Sequence, residues 1–239
     1  MKRYRHPLMW LGLVLFGLFA LLRLPTVLFA ATLPAPMQAG DVSGTLWEGR
    51  IGQLGIGGQQ LLQDVRWRWQ PAALLKGALA WQLDTRYADT PPGSARAVLS
   101  AAGWRLENVA LTVPASPLMA QVKMLSPFQL GGDLQIRALA LAQNHYEQTS
   151  VLWQDASSLV TPQVNPFGNY LINVQQQGSA TNWSMQPQGG MLAISGGGGI
   201  SNNGPTGALT FTPTAGKEAM FAALLDRMGP SHTLQLGSR

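Results

Sequence analysis

From Asp64 to Gln70 the chain alternates without a break: Val65, Trp67 and Trp69 fall on one side, Asp64, Arg66, Arg68 and Gln70 on the other. A period of two belongs to a half-buried β-strand and cannot be laid on a helix without scattering the aromatic rings around it. Pro71-Ala72-Ala73-Leu74-Leu75-Lys76-Gly77 then reads as one helical turn opened by proline and closed by glycine. Leu79, Trp81 and Leu83 resume the alternation, which predicts an antiparallel partner for the first strand.

Weaker period-two segments follow at 96–99, 104–113, 134–141, 149–154, 169–176, 183–186, 191–195, 208–212 and 233–236, most of them separated by glycine, proline or asparagine. Two short amphipathic helices interrupt them. Ser116 before Pro117 reads as an N-cap, with Leu118, Val122 and Leu125 on one face and Ser126-Pro127 as the stop. Residues 217–228 carry Met220, Leu224, Leu225 and Met228 before Gly229-Pro230. Gly44-Thr45-Leu46 precedes Val65-Arg66-Trp67 by about the distance at which Gly132-Asp133-Leu134 precedes Val151-Leu152-Trp153, a loose internal repeat. The fold class expected is mainly β: an extended, curved antiparallel sheet over residues 42–239, built from two similar halves, 42–126 and 127–239, with two short helices.

The amino-terminal end has a different composition. Lys2, Arg3, Arg5 and His6 precede an apolar run over residues 8–22 containing Trp10, and no acidic residue appears before Asp41. As a helix that run is about 22 Å long, short of the roughly 30 Å hydrocarbon layer, so a span must continue past Arg23. Residues 1–31 are therefore expected to form a cytoplasmic tip and a single transmembrane helix, with Arg23 near the far interface. A cleaved signal peptide ending near Ala30-Ala31 is the competing reading. Residues 32–41, with Pro34, Pro36 and Gly40, suit an extended spacer.

The formal charge of +5 follows from this arrangement. Setting aside Lys2, Arg3, Arg5 and Arg23 leaves twelve basic residues against eleven acidic ones, so a nucleic-acid partner has no electrostatic basis. Cysteine is absent, which excludes disulfides and thiolate metal sites.

No catalytic, cofactor-binding or metal-binding residue emerges. Outside the basic tip, histidine occurs only at His145 and His232, with Glu147 the one carboxylate close to either. Asp41, Asp64, Asp84, Asp89, Asp133 and Asp155 each stand near a strand end or turn, without a local pairing for acid–base work. Gly196-Gly197-Gly198-Gly199, with Asn202, Asn203 and Gly204, lacks the lysine and following helix of a phosphate loop and is expected to be a flexible hairpin connection. Asn182-Trp183-Ser184 fits a glycosylation sequon by a pattern too short to carry weight. Trp67, Trp69, Trp81, Trp104 and Trp153 either line a groove for a lipid or glycan or fill a thin core, and core filling is the simpler reading.

The order of several segments carries a resemblance. A short basic tip and a span are followed by Ser43-Gly44-Thr45-Leu46-Trp47-Glu48-Gly49, Val65-Arg66-Trp67, the 71–77 turn, Leu111-Thr112-Val113-Pro114-Ala115, Trp153-Gln154-Asp155-Ala156 and Pro166-Phe167-Gly168-Asn169-Tyr170. In this order the chain resembles the general secretion pathway protein N family of the bacterial type II secretion system, over essentially its whole length. The resemblance implies a bitopic inner-membrane protein with its amino terminus in the cytoplasm and its main domain in the periplasm. It also implies a non-enzymatic accessory role in exporting folded proteins, other secretion components as partners, and no cofactor. The alternative expectation is a periplasmic lipid-binding or lipid-transfer module with a curved apolar sheet face.

Overall fold

The structure, a computed structural model, describes Arg23 and residues 35–86, 91–142, 145–178, 180–201, 204–228 and 230–237. The anchor expected over residues 1–31, including Trp10, lies outside the described residues apart from Arg23. Among the described residues no helix is long and apolar enough to cross a membrane.

Fifteen strands form one sheet. The first seven are β1 (Met37–Gly44), β2 (Glu48–Ile56), β3 (Gln59–Trp69), β4 (Ala78–Arg86), β5 (Gly93–Ser100), β6 (Gly103–Pro114) and β7 (Leu130–Ala142). The rest are β8 (His145–Glu147), β9 (Thr149–Ser158), β10 (Gly168–Gln177), β11 (Ala180–Gly190), β12 (Leu192–Ser201), β13 (Gly204–Pro205), β14 (Gly207–Pro213) and β15 (Thr233–Leu236). The path runs β1 to β7, then β9 to β12, then β14 and β15, every pairing antiparallel, with β8 beside β7 and β13 beside β12. Its ends, β1 and β15, do not meet, so the sheet is open.

Local sequence explains most of these elements. The alternating segment is β3, and it pairs with β4 through Trp67 opposite Leu83 and Trp69 opposite Trp81. Between them Pro71–Lys76 forms a 3-10 helix ended by Gly77 at φ 68, the left-handed conformation that glycine adopts without strain. β1 and β2 were not legible as strands, because Gly40, Gly44, Gly49, Gly52 and Gly55 interrupt any alternation. β1 begins at Met37, so the last residues of the 32–41 stretch are already paired with β2.

The glycine run corrects the expectation of a hairpin connection. Gly196 to Gly199 lie inside β12, between β11 and β14, with Gly198 opposite Trp183 and Gly196 opposite Leu209. A Cβ on Gly196 or Gly198 would overlap the carbonyl of Ala208 or Thr206. Glycine is needed there for close backbone approach, not for flexibility.

The first helix differs from expectation in its start and stop, and the second stands where expected but with one residue of its buried face exchanged. α1 (Ala115–Met119) starts before Ser116, behind Pro114 rather than a hydroxyl cap, and Ser126–Phe128 forms a 3-10 turn instead of a plain stop. α2 (Glu218–Leu225) continues into a 3-10 turn at Asp226–Met228, and its deepest residue is Phe221, fully buried, whereas Met220 is 46% exposed.

The sheet is curved. β3 and β6 lie three strand spacings apart, about 14 Å on a flat sheet, yet their Cα atoms approach within 8 Å. α1 touches β2, β3 and β7 together, although five residues of helix are only about 7.5 Å long. The bend gathers Leu61 and Leu62 of β3 and Val113 of β6 into one core with residues from β7 to β15. At its centre the Phe167 ring stands 6.1 Å from Trp153 and 6.2 Å from Phe221, both nearly edge-on, a favourable aromatic geometry. Tyr170, fully buried beside them, donates its hydroxyl hydrogen to the Leu192 carbonyl at 2.6 Å. Burial pushes its phenol far above the ordinary tyrosine range, so it stays a donor.

Phe221→Ala should therefore lower the free energy of unfolding by about 3 kcal/mol or more through a cavity at the aromatic cluster. Met220→Ala should change it by no more than about 0.5 kcal/mol. Urea titration followed by tryptophan fluorescence checks both, and similar losses would show that α2 buries the other face.

Candidate functional site

Three surfaces stand out among the described residues. The first is the tryptophan unit at the β1 edge. Thr45 turns the chain between β1 and β2, its Oγ1 accepting hydrogen bonds from the backbone N–H groups of Trp47 and Glu48, both at 3.3 Å. Two indoles pin this turn: Trp67 donates to the Thr45 carbonyl at 3.1 Å and Trp81 to the Leu46 carbonyl at 3.0 Å. The Trp47 ring lies 4.7 Å from Trp69. To reach Thr45 the Trp67 ring crosses β2 at Gly49, where any Cβ would overlap it. These tryptophans are half-buried braces of an edge hairpin, which corrects the simple core-filling reading. Trp153 does fill the core, at 3% exposure, whereas Trp104 is 55% exposed.

The repeated unit has a physical counterpart in that brace. Gly44 and Gly132 both hold positive φ, 95 and 100, and Trp67 and Trp153 both donate to a carbonyl 22 residues upstream.

The second surface is the opposite, charged side of the same strands. Glu48, Arg68, Gln82, Arg96 and Glu107 stand opposite one another in succession across β2 to β6. Arg96 bonds Glu107 at 2.8 Å and the Gln70 side chain at 2.7 Å, and Arg105 meets Glu107 at 2.7 Å. Arg50 and Arg66 are directly opposed, an arrangement that like charge disfavours. Asp64, at a bulge with φ 50, bridges them at 2.5 and 2.8 Å. The hydrogen bond from Arg66, aided by the charge of Arg50, outweighs burial and holds the Asp64 carboxyl below its ordinary value. A hollow of about 520 Å³ here is lined by Arg50, Arg66, Arg68 and Arg86 with Glu48, Asp64 and Asp84. Its mixed charge suits a polar protein surface better than a polyanion.

The third surface is a groove of about 240 Å³ in the concave half of the sheet. Ile172 and Val174 of β10, Trp183 and Met185 of β11, and Ile194 and Ile200 of β12 line it with Met119, Leu125 and Leu130, and every lining residue is apolar. Strand alternation placed many of these residues correctly. That strands far apart in sequence would turn one face toward a common hollow left no local signal.

The remaining residues singled out in the sequence stay apart. His145 and Glu147 are neighbours on β8, 3.9 Å apart and about half exposed, and His232 sits in an exposed turn. Among the described residues no three histidine or acidic side chains gather around a metal position. Asp89, Asn202 and Asn203 lie outside the described residues. Asn182-Trp183-Ser184 is internal to β11, with Trp183 buried. One pair does form that local spacing did not show: Asp133 and Asp155 come close enough that burial first, and then the Asp155 charge, raise the Asp133 carboxyl.

These contacts generate two predictions. Gly49→Ala should displace the Trp67 indole, shift its fluorescence and cost about 2 kcal/mol in urea denaturation. The two aspartates should act with opposite sign. Stability from Asp64 is present above the ordinary carboxylate range and lost as pH falls through its lowered native value, so Asp64→Asn should flatten the loss below about pH 4. The raised Asp133 costs stability once ionised, so Asp133→Asn should raise the unfolding midpoint at neutral pH. Urea midpoints across that range measure both.

The sequence profile described as type II secretion system (T2SS), protein N matches residues 35–233. The chain is 32% identical over 144 residues to the type II secretion system protein N of Aeromonas hydrophila, covering 56% of this chain and 55% of that protein. The chain thus spans about half the length of that curated relative. No solved structure matches. Because the profile runs from the threshold of β1 to the first residue of β15, the chain belongs to the type II secretion system protein N family.

Proposed function

We propose that this chain is a non-enzymatic accessory component of the type II secretion machinery, held in the inner membrane by residues 1–31. Its amino terminus lies in the cytoplasm, and the sheet that follows residues 32–41 works in the periplasm by protein contact. The observation that carries this reading is the family match, which covers the sheet up to the first residue of β15. The sequence before it supports the topology, with Lys2, Arg3 and Arg5 ahead of an apolar run and no acidic residue until Asp41.

The β1 edge is the contact surface we favour. β1 has eight residues without lysine or proline, whereas the opposite edge, β15, has four. A long edge whose one charge is Asp41 offers a row of backbone donors and acceptors to an added strand. The indole-pinned turn at Thr45 holds that edge in place.

Deletion of the gene should leave exported folded proteins in the periplasm, and the full chain should restore their release. A photocrosslinking residue at Gln38 on β1 should recover other secretion components, and one at Gln186 on β11 should not. Normal secretion in the deletion strain would sink the proposal.

A further inference from the structure

We infer that the apolar groove receives one acyl chain of a membrane lipid, presented at its mouth by the bilayer that anchors the protein. The inference rests on the anchoring proposed above and adds a ligand to the sheet.

The lining selects the chemistry. A volume of about 240 Å³ lies between the roughly 150 Å³ of an apolar cavity that binds benzene and the roughly 300 Å³ at which sites for drug-sized ligands begin. It has room for a slender apolar chain. A peptide strand placed there would leave its N–H and C=O groups without partners, since every lining residue is apolar. An acyl chain has no such groups.

The path of the chain places the bilayer beside the mouth. The Pro36 carbonyl accepts a hydrogen bond from the Gly57 N–H at 3.1 Å, and a Cβ on Gly57 would overlap the Gln121 amide. Gln121 lies between Met119 and Leu125, both of which line the groove. The segment thus enters the described residues beside the loop that carries Met119 and Leu125. The run over residues 8–22 needs residues up to about 28–31 to complete a hydrocarbon span. That leaves about four residues before Ala35, a reach of at most about 14 Å, and only Leu33 among them as a large apolar side chain. With residues 1–31 in the bilayer as proposed above, only Leu33 would remain near the sheet as a competing apolar side chain.

The rim is suited to a lipid interface. Val122 and Met124 are 38% and 39% exposed on the same loop, on either side of Lys123. Exposed apolar side chains beside a cation match the boundary between acyl chains and anionic head groups.

The test uses the full chain in vesicles of phosphatidylethanolamine and phosphatidylglycerol that contain a trace of phospholipid with a photoreactive acyl tail. After illumination, peptide mapping should find the label on groove residues such as Ile172, Val174 and Ile200 as well as on residues 1–34. Ile172→Trp, which fills the groove, should cut groove labelling about tenfold and leave leader labelling unchanged. Met124→Glu, at an exposed position that does not threaten folding, should lower it in the same direction. Label confined to residues 1–34 in a chain that stays membrane-bound would overturn this inference alone. Crosslinks from the groove to residues 24–34, or to a peptide, would overturn it in favour of that occupant. Release of the chain by alkaline carbonate would bring down the anchoring reading, and this one with it.

Discussion

A sheet with two free edges has no interior unless it bends, and the bend between β3 and β6 is the constraint on which this structure depends. On a flat meander the apolar face of each strand would stay wet, and alternation would supply no stabilisation. Curvature brings Leu61 and Leu62 against Val113 and Ala115, and lets α1 span β3 and β7. The far half then closes on Phe167, Tyr170 and Phe221. With no disulfide to hold it, the fold rests on this burial and on the hydrogen bonds of Tyr170 and the indoles.

How far the fold was legible follows from the kind of signal each element carries. β3, the 71–77 turn and β4 were readable because aromatic and charged residues alternate and a proline and a glycine mark the turn. β1 and β2 were not, because glycine removes the side chains from which alternation is read. The same ambiguity made the glycines of β12 look like a loop, when they are a strand into which Ala208 and Thr206 press their carbonyls. Near the end of the chain the helix and its buried Leu224 and Leu225 were found but Met220 was put in place of Phe221, since both are apolar and only tertiary packing decides between them. The apolar groove and the Asp133–Asp155 pair depend on strands meeting far from their sequence neighbours. Local periodicity does not encode such meetings.

The two sides of the first strands divide the labour. Tryptophans on one side brace the edge hairpin from within, and an arginine–carboxylate ladder on the other keeps the outside polar. Asp64 does more than add an ion pair: it makes tolerable two opposed arginines that repulsion would otherwise separate. A surface of alternating charge with a well-held edge is suited to recognising other folded proteins.

The order of the strands also bears on how the molecule comes into being. Along the main path each strand pairs with the next or the next but one in sequence, so a chain delivered amino end first never holds a strand waiting for a distant partner. Hairpins can form one after another as residues arrive, which shortens the time that apolar faces are exposed to aggregation. Side-chain packing reaches further, as where Phe221 of α2 must return to Phe167 after β14 has emerged. Assembly can thus be progressive along the sheet, with the last helix to emerge supplying a late lock before β15 completes the edge.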